Sequence, residues 1–197
     1  DELINMRRHI HAHPELSGLE NQTAILISGY LKKIGGRVTE SVGRTGVVAD
    51  FGPKDKGFIG LRVDMDALPI YENTNLSFSS KIDGIMHACG HDLHTCIGLG
   101  VAKIIKDLNL KFGTRIIFQP AEEIASGARW MIDDGVTIGL KQILGVHVFP
   151  DLLVGTIGIK EGSLTAAAGE LTVEILGKSA HGARPHEGVD AIWAASK

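Results

Sequence analysis

Apolar residues recur along this chain in two rhythms, and the alternation between them lays out most of its elements. Leu3, Ile4, Met6 and Ile10 follow a helical period that stops at His13-Pro14, where proline disfavours helix in the residue before it. A second helix is predicted over residues 20–34, with Ala24, Ile27, Leu31 and Ile34 on one face and Gly35-Gly36 as its stop. Two β-rich runs, 47–51 and 58–63, are divided by the turn residues Gly52-Pro53-Lys54-Asp55. The helical period returns over 92–108. A strand at 114–118, a short helix at 128–133 and a strand at 142–148 follow.

Strands alternating with helices predict an α/β fold with a mostly parallel central sheet flanked by helices. In such sheets ligands gather at the carboxyl ends of the strands. The polar clusters fall there. Asp64 and Asp66 follow the run ending at Val63, Glu122 and Glu123 follow the strand ending at Phe118, and His147 closes the last strand. From Val154 the pattern changes. Ala166-Ala167-Ala168 precedes an alternation of Leu171, Val173 and Ile175 with Glu170, Thr172 and Glu174, which predicts a half-exposed strand of a second sheet. A loop over 177–188 and the start of a helix from Val189 complete the chain, and a boundary near Glu161-Gly162 gives domains 1–162 and 163–197.

Composition narrows the function classes. A chain 44% hydrophobic and 22% charged has the balance of an ordinary soluble domain, which argues against disorder. No apolar stretch approaches the roughly 20 residues that cross a bilayer, so no membrane partner is expected, and no secretory leader is visible. A net charge of -3 without a basic block offers nucleic acid no electrostatic footprint. A small-molecule or peptide substrate is the expectation. Cys89 and Cys96 are the two cysteines. On one helix they would stand about 10 Å apart, beyond disulfide reach, and a reducing, cytoplasmic location fits them.

Two local patterns carry chemistry. In Met86-His87-Ala88-Cys89-Gly90-His91-Asp92-Leu93-His94, a thiolate and an imidazole two residues apart across a glycine can face one divalent ion, and Asp92 can orient an imidazole behind them. The alternative is a buried free cysteine beside incidental histidines. In Gln119-Pro120-Ala121-Glu122-Glu123, adjacent carboxylates at a strand end repel unless a cation or shared proton compensates, so one can ligate metal while the other handles protons. A solvated pair opening a helix is the alternative there. Asp64-Met65-Asp66 is a third group of acids after an apolar strand.

Taken in order, Arg7-Arg8, His11, Pro14-Glu15-Leu16, Asp64-Met65-Asp66-Ala67-Leu68-Pro69, the Cys89 cluster, Gln119 to Glu123, Gly145-Val146-His147 and Gly177, His181-Gly182-Ala183, Pro185-His186 resemble the bacterial N-acyl-L-amino acid amidohydrolases, hippurate hydrolases and plant auxin-conjugate hydrolases. The resemblance implies a zinc-exopeptidase-like catalytic domain followed by the start of a smaller α+β lid. It makes Cys89, His91, Glu123 and His147 metal ligands, Glu122 the catalytic acid-base and Asp66 the acid supporting the metal site. It also makes His181 a lid histidine that stabilises the oxyanion at the scissile carbonyl, and implies a homodimer through the lid, with that histidine able to serve the partner's site. Arg184 is a candidate for the substrate carboxylate. Two divalent ions per full-length subunit are implied, from manganese, zinc, nickel or cobalt. His9, His11 and His13 match no ligand and are read as capping or bracing the first helix. Family members are about twice as long, so this sequence is expected to stop within the lid. Two rival readings stay open: a hydrolase with Cys89 as nucleophile, and a non-catalytic metal-binding or interaction fragment.

Overall fold

The first helix, α1 (Glu2–Ala12), ends just before Pro14. Its last carbonyls are taken by the His13 backbone N–H, which donates to His9 and Ile10, and by the His13 ring, whose Nδ1 lies 2.8 Å from the His9 carbonyl. The second helix, α2 (Asn21–Lys33), closes in a Schellman motif. Gly35 adopts φ +85°, its N–H donates to the Lys32 carbonyl, and the Gly36 N–H donates to that of Leu31. The computed structural model describes residues 1–108, 110–166, 169 and 171–197. Among them no helix is long and apolar enough to cross a membrane.

Strands β1 (Arg37–Val42), β2 (Gly46–Phe51), β3 (Phe58–Asp64), β4 (Gly113–Gln119) and β5 (Leu140–Gly145) form one sheet in the order β1-β2-β4-β3-β5. Helix α3 (His91–Asp107) joins β3 to β4, and α4 (Gly127–Asp133) joins β4 to β5. The sheet is mixed. β3 runs parallel to β4 and β5, whereas β2 is antiparallel to β1, as the tight turn between them requires, and also to β4. β1 has no counterpart in the apolar pattern because it is an edge strand whose residues before Val42 are largely exposed.

Parallel pairing brings the ends of three strands to one edge. β3 and β4 pair without interruption from Phe58↔Gly113 to Asp64↔Gln119, and Arg62 pairs with Gly145 of β5. An irregularity between Phe58 and Ile59 sets the frame of β5 against β3. β5 ends at Gly145, so His147 stands two residues past the strand instead of closing it. Ile27, Leu31, Leu99, Ala102, Val63 and Phe118 are among the buried residues that seal α2 and α3 onto the sheet. The contact with α3 is close: a methyl group at Gly98 would come within 2.9 Å of Val63 and 3.0 Å of Phe118.

The chain divides into compact units Asp1–Asp151 and Leu152–Lys197, ten residues before the composition change at Glu161-Gly162. In the second unit, Lys178 and Val189 form an antiparallel bridge, residues Pro185–Glu187 make a 3-10 turn, and α5 (Ala191–Ala195) is capped by Asp190. Ala167, Ala168 and Glu170 of the expected second-sheet segment lie outside the described residues. The described part of that segment, 171–175, forms no strand. Alternation alone does not make one, because a strand also needs a neighbour to take its backbone hydrogen bonds.

His11 ties α1 to the long connection that carries Cys89. It is buried between two carboxylates, with Nδ1 2.8 Å from Asp92 Oδ2 and Nε2 3.1 Å from Glu72 Oε1. An acceptor at each nitrogen requires a proton on both. The Asp92 hydrogen bond raises the His11 pKa, against burial. Burial pushes the Glu72 carboxyl up, but the Ser80 N–H, the Thr74 hydroxyl and His11 outweigh it and hold it at about 2.

The two shifts act on opposite sides of a pH window. Glu72 contributes stability above its ordinary value of 4.5, lost as pH falls toward 2, whereas His11 contributes below its ordinary 6.5, lost as pH rises through its raised value. Glu72→Gln is expected to destabilise the protein by about 2 kcal/mol near pH 6, and by clearly less at a pH above the raised His11 value. Thermal unfolding at the two pH values measures this; equal losses would show that the His11 charge contributes nothing.

Candidate metal centre

Two alternating acids and two histidines one helical turn apart build the centre. Met65 turns into the core, which leaves Asp64 and Asp66 on the opposite side of the extended segment that ends β3. His91 and His94, at i and i+3, share a face of the first turn of α3. The pairs mate. His91 Nδ1 lies 2.9 Å from the Asp66 carbonyl and 3.1 Å from Asp66 Oδ1, and His94 Nδ1 lies 2.5 Å from Asp64 Oδ1. Asp66 Oδ2 accepts from the Ser17 hydroxyl at 2.6 Å and from the Glu123 N–H at 3.0 Å. Arg62 donates to Asp64 Oδ2 at 2.6 Å and to Gln119 at 2.8 Å.

With acceptors at Nδ1, His91 carries its proton there and turns Nε2 to the centre. That nitrogen is 3.7 Å from Glu123 Oε1, 3.8 Å from Glu122 Oε2 and 3.6 Å from Asp64 Oδ1. His91 Nε2 and Glu123 Oε1 are both buried and have no hydrogen-bond partner. Cys89 Sγ is 3.5 Å from His147 Nε2, and His147 Nδ1 donates to the Val148 carbonyl at 2.8 Å. Donor atoms of Cys89, His91 and His147 lie within 4.8 Å of one another, as do those of His91, Glu122 and Glu123. Donors bound to one ion at 2.0–2.3 Å stand roughly 3.3–3.8 Å apart. The residues therefore fit a divalent cation, and an orphaned imidazole nitrogen beside an orphaned carboxylate oxygen is costly without one.

The electrostatics agree. Burial, with the charges of Glu123, Glu122 and Asp64, pushes the Cys89 thiol up to about 12. A nucleophilic cysteine needs the opposite shift, whereas a cation in this field would deprotonate the thiol. Burial raises the Glu123 pKa, and the neighbouring Glu122 charge adds to it against the pull of His91. Burial is the largest influence on Asp64 and Asp66 and pushes both up, but the histidine hydrogen bonds together with the charges of His91 and Arg62 at Asp64, and with Ser17, the Glu123 N–H and the His91 charge at Asp66, outweigh it and hold both below the usual carboxylate range.

Cys89, His91, Glu122, Glu123 and His147 are thus brought together, with Asp66 behind His91. Asp92, offered by the sequence as the residue orienting an imidazole of the site, bonds His11 instead. His181 and Arg184 belong to the second unit and are exposed. His181 Nδ1 accepts the Ala183 N–H at 3.2 Å, and Arg184 pairs with Glu187 at 3.3 Å. Sequence reasoning missed Glu20. This fully buried carboxylate accepts the Gly18 and Ala121 N–H groups, both at 2.8 Å, and the Thr45 hydroxyl. It holds Ala121 at φ +49°, a left-handed conformation uncommon for a residue with a Cβ, directly before Glu122. Ser17 and His94 were also missed, and only the i+3 spacing of His94 from His91 signalled a role.

The sequence profile of peptidase family M20/M25/M40 matches residues 60–197, more than half of the chain. The chain belongs to this family. Among M20 relatives, it is 47% identical to an N-acetyl-L-cysteine deacetylase of Bacillus subtilis, over 100% of this chain and 48% of that protein. It is 42% identical to an N-acyl-L-amino acid amidohydrolase of Geobacillus stearothermophilus, over 97% of this chain and 53% of that protein. Its fold is similar to the crystal structure of the Bacillus subtilis YXEP protein, a dinuclear metal binding peptidase from the M20 family. That match has a TM-score of 0.79 and 50% identity, covering 82% of this chain and 46% of the other. The chain spans about half the length of the curated relatives it matches.

His91 is common to the Cys89–His91–His147 and the His91–Glu122–Glu123 donor groups, so His91→Ala is expected to weaken zinc binding at least about 100-fold, while Cys96→Ala leaves it unchanged. Zinc at about 100 times its dissociation constant should stabilise the unsubstituted protein by about 2.7 kcal/mol, and this gain should vanish with His91. Calorimetric titration and thermal unfolding with and without zinc read both effects. Unchanged affinity in His91→Ala would place the metal elsewhere.

Proposed function

We propose that the full-length protein is a metal-dependent amidohydrolase that cleaves the amide bond of N-acyl or N-aroyl amino acids with an activated water. The convergence of Cys89, His91, Glu122, Glu123 and His147 about the unpartnered His91 Nε2 carries this reading. The names of the two curated relatives, a deacetylase of N-acetyl-L-cysteine and an N-acyl-L-amino acid amidohydrolase, support the substrate class.

In this reading Cys89, His91, Glu123 and His147 hold divalent cations, two per full-length subunit. Thiolate and imidazole suit zinc, nickel or cobalt, and the carboxylates admit manganese. Bound cations supply Lewis acidity, which brings the pKa of water towards neutrality and polarises the amide carbonyl. Glu122 is the more exposed of the two glutamates, 39% against 17% for Glu123, so its carboxylate is free to take the proton of the attacking water and return it to the leaving amine. Asp66 fixes the tautomer of His91 through the Nδ1 hydrogen bond. His181 steadies the oxyanion and Arg184 receives the substrate carboxylate, exchanging its Glu187 partner for the ligand. Dimerisation through the 163–197 region and a cytoplasmic location complete the proposal.

The Cys89–His147 contact at 3.5 Å favours one other reading, a thiol hydrolase with His147 as base. A chelator separates the two. It should abolish turnover by the metal enzyme and spare a thiol enzyme.

Glu122→Gln in the full-length protein is expected to lower kcat on N-acyl amino acids by about 10²–10⁴-fold with metal content unchanged, because the amide keeps the shape but cannot accept a proton. Loss of metal together with activity would make Glu122 a ligand. His181→Ala should lower kcat by about 10²–10³-fold at full metal occupancy. Activity recovered on mixing the His181→Ala and Glu122→Gln proteins would mean that the two residues act across a subunit interface.

A further inference from the structure

Asp64 and His94 repeat the geometry of Asp66 and His91, yet neither belongs to the proposed ligand set. The Asp66–His91 couple has an obvious end: Asp66 fixes the proton on Nδ1 and leaves Nε2 facing the acids. In the second couple, Asp64 takes His94 Nδ1 at 2.5 Å, and His94 Nε2 lies 2.9 Å from the backbone nitrogen of Val148. A backbone N–H can only donate, so His94 Nε2 accepts and Nδ1 carries the proton. Both nitrogens are thereby committed. His94 is fully buried and has no lone pair left for an ion, although its ring atoms lie among those of Asp64 and His91.

The backbone of Val148 is the element that holds His147. Its carbonyl accepts from His147 Nδ1 at 2.8 Å, which turns His147 Nε2 toward Cys89 at 3.5 Å. His147 is itself exposed, and β5 ends two residues before it, so no strand pairing fixes this stretch. The His94 ring also stands edge-on to that of His147, with centroids 4.7 Å apart.

We propose that His94 is a positioning residue for His147: anchored by Asp64, it clamps the Val148 N–H and so holds in place the residue whose carbonyl sets the tautomer and direction of the His147 imidazole. One aspartate–histidine couple aims a ligand directly, and the other aims a ligand through the backbone. The proposal rests on the metal-centre reading of the site, and it makes the acceptor at Nε2, rather than the donor to Asp64, the feature that matters for metal.

Two substitutions separate those features. A glutamine amide reaches about as far as Nε2 and can accept from Val148, whereas an asparagine amide reaches about as far as Nδ1 and can only satisfy Asp64. Zinc affinity of the full-length protein, measured by calorimetry against a competing chelator, is expected to fall about 10–100-fold in His94→Asn and to stay within about threefold in His94→Gln. In cobalt-loaded His94→Asn the thiolate-to-cobalt absorption from Cys89 should persist while the visible ligand-field bands change. Combined with His147→Ala, the His94→Asn substitution should cost no further affinity, since the residue it positions is gone. Full affinity in His94→Asn, equal losses in both variants, or an undiminished loss in the His147→Ala background would each overturn the positioning role. Failure of the unsubstituted protein to bind zinc or cobalt would overturn the metal-centre reading itself, and the positioning role with it.

Discussion

Four carboxylates, those of Asp64, Asp66, Glu122 and Glu123, crowd one imidazole, and their mutual repulsion is the constraint that the rest of the first unit answers. The answer divides them into two pairs. Asp64 and Asp66 are anchored as anions by Arg62, His94, Ser17, His91 and the Glu123 N–H, and their pKa values fall accordingly. Glu123 keeps a buried oxygen without a donor and its pKa rises. Internal hydrogen bonds thus settle half of the negative charge and leave the other half to a cation. The close approach of α3 at Gly98 and the parallel placement of β3 between β4 and β5 are the packing conditions that allow it.

Much of this was legible in the chain. The helices and the inner strands announce themselves by apolar period because their buried faces seal one core, and they appear close to where the period puts them. β1 and the 171–175 segment did not follow the pattern for a common reason. An edge strand and an exposed alternating run are decided by whether a neighbour is there to take their hydrogen bonds, and local sequence does not record the neighbour.

The site divides in the same way. Short-range spacing exposed Cys89 with His91, Glu122 with Glu123, and Asp64 with Asp66, because each pair shares one turn or one strand end. Asp92 misled because residues one apart on a helix point about 100° from each other, so the face that turns His91 inward turns Asp92 towards α1. Glu20 stayed hidden because its role joins the Gly18 turn, Thr45 and Ala121, segments far apart in sequence. His94 carried a spacing signal, but its use depends on a backbone group 54 residues away.

The irregular pairing at the start of β5 acts as the zero mark of a ruler. From that point the chain advances about 3.3 Å per residue, with side chains alternating between faces, as far as Gly145, and the imidazole follows two residues later. A single residue inserted or deleted between the mark and His147 would displace that imidazole by more than the length of a coordination bond and turn it to the wrong side. The connection before Leu140 carries no such measure, and length changes there leave the ruler intact. Tolerance to insertion should therefore change abruptly at Leu140, where the pairing with β3 begins.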